Sequence, residues 1–345
     1  GFRWSAANNL LVSAGDIGSD EFEAARAIDE DEAQRKMCQF VWAVPYEPIE
    51  NDGEDEVDAK QLSQRMGEFA RGEYPKDAVL SLGIDVNKPV LHWTVTALQV
   101  DQPSYIVDYG KQGLRTKDIG FAASLTEGLT KLRDRIQEQY PTFTRAGVDS
   151  RWRPNDVASA IRELKDKRFR AFIGHGKGQF NVPAYNHPAN VAGDVVSIGN
   201  CWYEKVVRAR SQIVLCADAN FWKSNLKSRL ILTDAENESK KIDGPILLYR
   251  AVDDTEHFQF CRHITSEEVK LEFDAKRGDV ITFKQLRKAN HWLDSTYIAL
   301  VVGDKELAKK RMTKQTSVAI NNASQLHASI DLGSTTFSAE LMRNG

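Results

Sequence analysis

Three aspartates of this chain have positions from which they could act together. Asp85 and Asp149 each end a short apolar run, and Asp294 lies in a helical segment. Clustered carboxylates repel one another, and unless they take up protons they persist by binding divalent cations, of which Mg²⁺ and Mn²⁺ suit oxygen ligands. Two such ions, roughly 3.5–4 Å apart, activate a water and stabilise the leaving oxygen in phosphodiester hydrolysis. If the three side chains meet, they predict a two-metal nuclease.

Each aspartate alone also fits a structural role. Asp85 precedes the turn signal Asn87-Lys88-Pro89 and fits a turn residue. Asp149 fits an N-cap of the helix that follows near Pro154. Asp294 fits a solvated position on a helix surface. The catalytic interpretation therefore depends on the three residues being brought together.

Two polar residues accompany Asp294. Asn290 and His291 lie one helical turn before it, at a spacing that puts them on the same helix face. They are candidates for hydrogen-bond partners of the metal ligands, or they belong to an ordinary polar helix surface, which is the more usual place for a lone histidine such as His291.

The order of the predicted elements supplies the reason to bring the carboxylates together. Apolar patterning predicts three strands, a helix, a strand, a helix and a strand, in that order. The strands cover residues 78–85, 91–98, 104–109, 145–149 and 169–174, and the helices cover residues 118–139 and 154–165. This order is typical of a ribonuclease-H-like α/β fold, a mixed sheet flanked by helices. Because the first and fourth strands are neighbours in that sheet, Asp85 and Asp149 would lie side by side. We also expect Gly83 to ease the close approach of the neighbouring strand.

The remaining segments are assigned around this core. A helix is predicted over residues 19–40, an acidic linker over residues 50–58 and a short helix over residues 61–70. Residues 176–265 form a partly β insertion, and the last core helix is predicted from about Phe283 to Val302. We therefore divide the chain into a leading segment (1–75), a nuclease domain (76–312) and a loosely ordered tail (313–345).

Basic residues offer a surface for DNA. Those of the insertion are interleaved with Trp202, Tyr203, Phe221 and Trp222, which could form a wall of a DNA groove, although a plain solvated face fits as well. The candidate contacts are Arg151, Arg153, Lys205, Arg208, Arg210, Lys223 and Lys227.

Bulk properties exclude several classes of protein. The net charge of -3 argues against a generally basic nucleic-acid coat. No apolar run approaches the roughly 18 residues that a membrane helix needs. The four cysteines form no CxxC pair, so we expect reduced thiols of a cytosolic protein and no zinc site. Because the chain starts at Gly1-Phe2-Arg3-Trp4 and not at Met, we expect a fragment of a longer protein.

Several short segments, in their order along the chain, resemble the C-terminal nuclease region of the large terminase subunit of tailed bacteriophages, and the lambda-like group in particular. The matching segments are Leu82-Gly83-Ile84-Asp85-Val86, Tyr105-Ile106-Val107-Asp108-Tyr109-Gly110, Gly147-Val148-Asp149-Ser150, Trp222-Lys223-Ser224-Asn225-Leu226, His257-Phe258 and Asn290-His291-Trp292-Leu293-Asp294.

The resemblance implies an endonuclease that cuts concatemeric viral DNA at the start and end of packaging, in the host cell cytoplasm. It implies Asp85, Asp149 and Asp294 as ligands of two Mg²⁺ or Mn²⁺ ions. The implied partners are double-stranded DNA and, in the full-length protein, the small terminase subunit and the portal. No Walker motif occurs in the chain, so we expect it to cut DNA without translocating it.

Two other kinds of function compete with this one. The same fold serves junction resolvases and transposases, which are nucleases with other substrates or products. A module that keeps the fold without chemistry, and docks on DNA or protein, is the alternative from outside the enzymes.

Overall fold

The computed structural model of the protein describes residues 5–9, 11–24, 36–44, 58–176, 194–231, 244–253, 255–274 and 278–313. Before the sheet, the chain forms helix α1 (Ala14–Ala24), a π-helical turn (Met37–Val41) and the short helix α2 (Ala59–Ser63). The helix predicted over residues 19–40 is thus confirmed over residues 19–24, and its middle lies outside the described ranges. The predicted acidic linker lies outside them too, apart from Asp58.

The first strand is one that the sequence did not predict. Strand β1 (Met66–Ala70) occupies the second half of the helix predicted over residues 61–70, so that half of the prediction is wrong. The strand pairs in parallel with residues 246–250, and this long-range pairing decides its conformation, because strand formation depends strongly on tertiary context. It lies before residue 76, where the nuclease domain was predicted to start.

The predicted core elements follow in the expected order. They are β2 (Val79–Val86), β3 (Val90–Leu98), β4 (Ser104–Gly113), α3 (Thr116–Ile119), α4 (Phe121–Gln139), β5 (Arg145–Asp149), α5 (Pro154–Leu164) and β6 (Phe169–His175). The single helix predicted over residues 118–139 is interrupted at Gly120, whose φ of 77° is outside the helical range. Every residue of β2 is buried, as expected of a central strand covered on both faces.

The insertion adds three strands next to β6 at one edge of the sheet and one strand next to β4 towards the other edge. It contains β7 (Asp194–Gly199), β8 (Trp202–Val207), β9 (Gln212–Asp218), α6 (Ala219–Ile231), β10 (Ile246–Arg250) and α7 (Phe258–Ile264). Strand β9 extends the sheet in parallel with β6, whereas β10 lies between β1 and β4 at the opposite side. The insertion is partly β, as predicted.

The strand order identifies the fold. The ten-stranded sheet has the order β1-β10-β4-β3-β2-β5-β6-β9-β8-β7. At its centre, β3 is antiparallel to both β2 and β4, and β5 and β6 continue in parallel with β2. The central order β4-β3-β2-β5-β6 is that of a ribonuclease-H-like sheet, which confirms the predicted fold class.

The predicted start of the last core helix is wrong. Residues 283–285 are the last residues of strand β12 (Gly278–Gln285) and not the start of a helix. Strand β12 pairs with β11 (Glu267–Asp274) in a separate antiparallel hairpin. The β-branched run Val280-Ile281-Thr282 favours a strand. The helix itself, α8 (residues 291–313), starts eight residues later than predicted.

Two glycines let α8 lie directly against the sheet. Gly83 of β2 and Gly147 of β5 are partners in the parallel register of these strands. A Cβ atom on Gly83 would collide with the backbone carbonyl of Ser295, and one on Gly147 would lie 2.6 Å from Ile298 Cγ2. Gly83 therefore permits the close approach of a helix, and not that of the neighbouring strand as predicted.

Other predictions concern the membrane, the thiols and the tail. Among the helices of the described ranges, none combines the length and hydropathy that a membrane span requires. The cysteines are free, and Cys201, Cys216 and Cys261 are buried, as predicted. Of the tail predicted over residues 313–345, only Thr313 lies within the described part of the chain, at the end of α8.

Candidate active site

The three aspartates singled out from the sequence line one cleft. Asp85 lies at the end of β2 and Asp149 at the end of the neighbouring strand β5, directly after the paired residues Ile84 and Val148. Asp294 lies in the first turn of α8, which crosses the sheet over the glycine pair. The cleft has a volume of about 660 Å³. The convergence expected from the strand order is therefore present.

A fourth carboxylate, Glu267, lines the same cleft and was missed from the sequence. It is the first residue of β11 and is buried. Asn290 Nδ2 donates a hydrogen bond of 2.7 Å to Glu267 Oε1. The alternation in Glu267-Glu268-Val269-Lys270-Leu271 could have predicted a strand here, but nothing in the local sequence indicates that the strand enters the cleft.

Lys223 lies among these carboxylates. Its Nζ atom is 2.8 Å from Asp294 Oδ1 and 2.8 Å from Glu267 Oε2, and it lies 5.5 Å from the centre of the Tyr297 ring. Burial opposes a charge on this lysine, but Asp294 and Glu267 outweigh burial and raise the pKa of Lys223 above its ordinary value. Lys223 was predicted to contact DNA, and its place in the structure is that of a buried counter-ion.

Two of the aspartates hold protons more tightly than usual. Burial, reinforced by the charge of Asp85, raises the pKa of Asp149 to about 7. Burial also raises the pKa of Asp294 to about 6, with Lys223 opposing the shift and Asp85 and Glu267 adding to it. Such a set of carboxylates takes up either protons or cations. Its oxygen donors fit Mg²⁺ or Mn²⁺, so the residues present agree with the implied ions.

On its other side, Asp85 meets a group of histidines. His291 Nδ1 lies 3.0 Å from Asp85 Oδ2, and Asn87 Nδ2 donates a hydrogen bond to the same oxygen. His92, the cross-strand partner of Asp85, stacks on His291 with ring centres 4.5 Å apart. Burial lowers the pKa of His92 to about 2, so this imidazole is neutral.

These contacts put His291 beside a candidate metal ligand. Asp85, His92 and His291 also present ligand atoms that all lie within 4.8 Å of one another, a spacing that could hold a cation. Asn290 lies beside Glu267 and not beside an aspartate, and it precedes α8 instead of lying within it.

Two arginines follow Asp149, and one of them lines the cleft. Arg151 lines it, and the backbone N–H of Arg151 donates a hydrogen bond of 3.1 Å to Asp149 Oδ1. Arg153 has a half-exposed side chain, 3.6 Å from Asp156 Oδ2. Arg151 can therefore meet a ligand in the cleft, whereas Arg153 does not line it.

The basic residues of the insertion are more dispersed. Arg208 pairs with Asp194 at 2.7 Å, and Arg210 donates a hydrogen bond of 3.1 Å to Asn155. Lys227 contacts the carbonyl of Glu267, and Lys205 lies on β8. The prediction of an aromatic wall is wrong for three of its four residues, because Trp202, Tyr203 and Trp222 are buried in the core.

Comparison with known proteins adds a family. The family described as "Terminase large subunit gpA, endonuclease domain" matches residues 1–314. Among solved structures, the chain is similar to the large terminase from a thermophilic bacteriophage, with 13% identity over 86% of this chain and 53% of that chain and a TM-score of 0.34. The same terminase in complex with ATP-gamma-S gives 14% identity, 86% and 54% coverage and a TM-score of 0.33. The chain thus spans about half the length of these proteins. No curated protein matches it.

Proposed function

The chain belongs to the family of terminase large subunit gpA endonuclease domains, and from this premise we propose that it is a metal-dependent DNA endonuclease that cuts concatemeric viral DNA during genome packaging. The observation that carries the proposal is the convergence of Asp85, Asp149 and Asp294 on one cleft. Neighbouring strand ends and one helix turn supply the three carboxylates, which supports a common role better than three separate structural roles do.

Asp85, Asp149 and Asp294 would hold two Mg²⁺ or Mn²⁺ ions. Bound there, the ions supply an activated water and a stabilised leaving oxygen for hydrolysis of the phosphodiester. His291 and Asn87 orient Asp85 through their contacts with Oδ2. Fixing the direction of a ligating carboxylate in this way is the usual contribution of neighbouring polar groups to a metal site.

The remaining charged residues of the cleft have two tasks. Lys223 holds Asp294 and Glu267 in place and offsets their repulsion. Arg151 is available to bind a backbone phosphate at the edge of the cleft, next to the carboxylate of Asp149. Phosphate contacts position the DNA strand without reading its sequence, which suits an enzyme that must cut a long duplex.

Replacing the aspartates tests the proposal. Asp85→Asn, Asp149→Asn and Asp294→Asn should each abolish cleavage of linear duplex DNA in Mg²⁺ or Mn²⁺, with circular dichroism spectra like that of the wild type. Asp218→Asn is the matched control: Asp218 also ends a strand, but it accepts a hydrogen bond from the Phe221 backbone N–H at the start of α6 and does not line the cleft. Full activity in the Asp149 variant would remove the assignment.

Metal binding separates an enzyme from a docking module. Titration calorimetry with Mn²⁺ should give two bound ions per chain in the wild type and weaker binding in Asp85→Asn. A wild type that binds no ion at millimolar Mn²⁺ would favour docking. Preference for four-way junctions over linear duplex would favour a resolvase, and strand-transfer products would favour a transposase.

The partners follow from the same proposal. The substrate is double-stranded DNA, and the place of action is the cytoplasm of the host cell. In the longer protein, we propose the small terminase subunit and the portal as further partners. Co-purification of the full-length protein with either one tests this part.

A further inference from the structure

An exposed tripeptide follows the second candidate metal ligand. Arg151, Trp152 and Arg153 are all exposed, and the Trp152 side chain is 51% exposed. The hydrogen bond from the Arg151 N–H to Asp149 Oδ1 ties the start of this loop to the candidate site, and Arg151 lines the cleft. Trp152 is therefore the next residue along the chain after one that lines the cleft.

The Trp152 ring is held in place by contacts with two neighbouring side chains. It packs edge-to-face on Phe121, with ring centres 5.1 Å apart. Phe121 is the first residue of α4 and packs against the hydrophobic core. The Arg153 guanidinium lies 5.0 Å from the centre of the Trp152 ring and 5.6 Å from that of Phe121. The indole is thus fixed by its neighbours while about half of its surface faces solvent.

A fixed, half-exposed indole beside two arginines fits one class of ligand. Aromatic rings with neighbouring cations form the stacking platforms on which proteins bind the bases of single-stranded nucleic acid. A base inside an intact duplex has both faces covered by its neighbours. Only an unstacked base, at a strand end, in a gap or turned out of the helix, has a free face to offer.

We propose that Trp152 stacks on an unstacked base of the DNA strand whose backbone enters the carboxylate cleft. Arg151 binds an adjacent phosphate, and Arg153 braces the indole and adds positive charge. This inference rests on the proposed function and deepens it, because it names a locally unpaired strand as the form of DNA that the site holds.

Binding assays with two DNA forms test the inference. Fluorescence anisotropy, with Ca²⁺ in place of Mg²⁺, would compare a duplex containing a short single-stranded gap with the same duplex fully paired. Trp152→Ala and Trp152→Leu should each bind the gapped DNA about tenfold more weakly than the wild type, since one stacked base is lost. Trp152→Phe should stay within about threefold, and all proteins should bind the paired duplex equally.

The variants separate stacking from other contacts. Trp42→Ala is the matched control, since Trp42 is another partly exposed tryptophan and lies before the sheet. The base analogue 2-aminopurine, placed in the gap, should lose fluorescence on binding to the wild type and not to Trp152→Leu. Gapped DNA bound equally by the wild type and Trp152→Ala would overturn the inference, as would full binding by Trp152→Leu.

Failure of this inference differs from failure of the proposed function. A wild type that binds Mn²⁺ and cuts DNA, while Trp152→Ala binds gapped DNA equally well, removes only the role of Trp152. A wild type that binds neither Mn²⁺ nor DNA removes the proposed function itself. Self-association of the wild type that is absent from Trp152→Ala, seen by sedimentation, would assign the ring to contact with a second copy and would also overturn the inference.

Discussion

The carboxylates of the cleft make the stability of the metal-free protein depend on pH. The pKa of Asp149 is about 7 in the folded chain, against an ordinary value of 3.8. Because the folded state binds this proton more tightly than the unfolded state, the stabilisation is complete below about pH 4 and is lost as the pH rises through 7. In EDTA, the midpoint temperature of thermal unfolding should therefore decrease as the pH is raised from 5 to 8. Asp149→Asn should remove much of this decrease.

The same titration run with saturating Mn²⁺ provides the control. A cation needs the ionised carboxylates, so protons compete with it and metal-bound protein should gain stability as the pH rises. Circular dichroism at several pH values gives both curves. A midpoint for the wild type in EDTA that rises between pH 5 and pH 8 would contradict the raised pKa of Asp149.

Replacing Lys223 should reveal how strongly the carboxylates of Asp294 and Glu267 repel each other in the cleft. Lys223→Met leaves Asp294 and Glu267 without the ammonium that lies 2.8 Å from each. Removing one member of a buried ion pair leaves an uncompensated buried charge, so we expect a loss of about 3 kcal/mol in the free energy of unfolding without metal. The loss should shrink in Mn²⁺, because the cation replaces part of the missing charge. Urea unfolding with and without Mn²⁺ measures both values.

A second lysine distinguishes this effect from a general one. Lys305 pairs with Glu204 at 2.8 Å, at a carboxylate that does not line the cleft and that also pairs with Arg145. Lys305→Met should lose stability by the same amount with and without Mn²⁺. A loss in Lys223→Met that is equally insensitive to the metal would mean that no cation binds beside Asp294.

Single residues were predictable where the strand order placed them. Asp85 and Asp149 end neighbouring strands, and that relation follows from the order of elements alone. Glu267 and the counter-ion role of Lys223 were not predictable in this way. Glu267 depends on where the hairpin of β11 and β12 packs, and Lys223 depends on where α6 packs. Local sequence carries no information about that packing.

At the scale of elements, the contact between α8 and the sheet fixes the third carboxylate. Gly83→Ala puts a methyl group where the backbone of Ser295 lies, and 2.6 Å from the backbone nitrogen of Ala299. The helix must move away, since a backbone cannot yield as a side-chain tip can. We expect a loss of at least about 3 kcal/mol in the free energy of unfolding. Cleavage and Mn²⁺ affinity should fall with it, because Asp294 moves with the helix.

Gly113→Ala is the matched control for this substitution. Gly113 also lies in a strand of the central sheet, but a Cβ atom there would have nothing within 4 Å. Its stability and its Mn²⁺ affinity should stay close to those of the wild type. Unchanged Mn²⁺ affinity in a folded Gly83→Ala protein would show that the position of α8 does not govern the site.

The elements that were predicted correctly have strong local patterns, and those predicted wrongly do not. The strands β2 to β6 and the helices between them follow apolar periodicity. Strand β1 was misassigned because its conformation depends on pairing with β10, which is distant in sequence. The start of α8 was misassigned because the residues before it belong to the hairpin of β11 and β12. Periodicity within a short segment cannot report such partners.

At the scale of the whole molecule, Asp108 ties separate parts of the chain together. Arg71, which follows β1, lies with its Nε atom 2.7 Å from Asp108 Oδ1 on β4. Tyr140, at the end of α4, donates a hydrogen bond of 3.0 Å to Asp108 Oδ2. Asp108→Ala should lower the free energy of unfolding by about 3 kcal/mol, because it leaves both partners without the buried carboxylate. Mn²⁺ affinity should not change, since no residue of the cleft is altered.

This outcome contrasts with that of the aspartates in the cleft. Asp149→Asn should lose Mn²⁺ binding without losing stability at neutral pH in EDTA, whereas Asp108→Ala should lose stability alone. Arg208→Ala, which breaks an exposed pair at the opposite side of the sheet, should leave the unfolding midpoint unchanged. Calorimetric titration and urea unfolding of the three variants decide between these roles, and weaker Mn²⁺ binding in folded Asp108→Ala would contradict the division.

The strand order also has a consequence for the growing polypeptide on the ribosome. Strand β1 emerges early, but its partner β10 is made about 180 residues later, which at roughly 5–20 residues per second is a delay on the order of 10–35 s. Asp294 is made later still, after Asp85 and Asp149 have long been available. Under the proposed function, a nascent chain carries only part of the metal site. If the proposed function holds, cutting would be confined to molecules whose synthesis has passed α8.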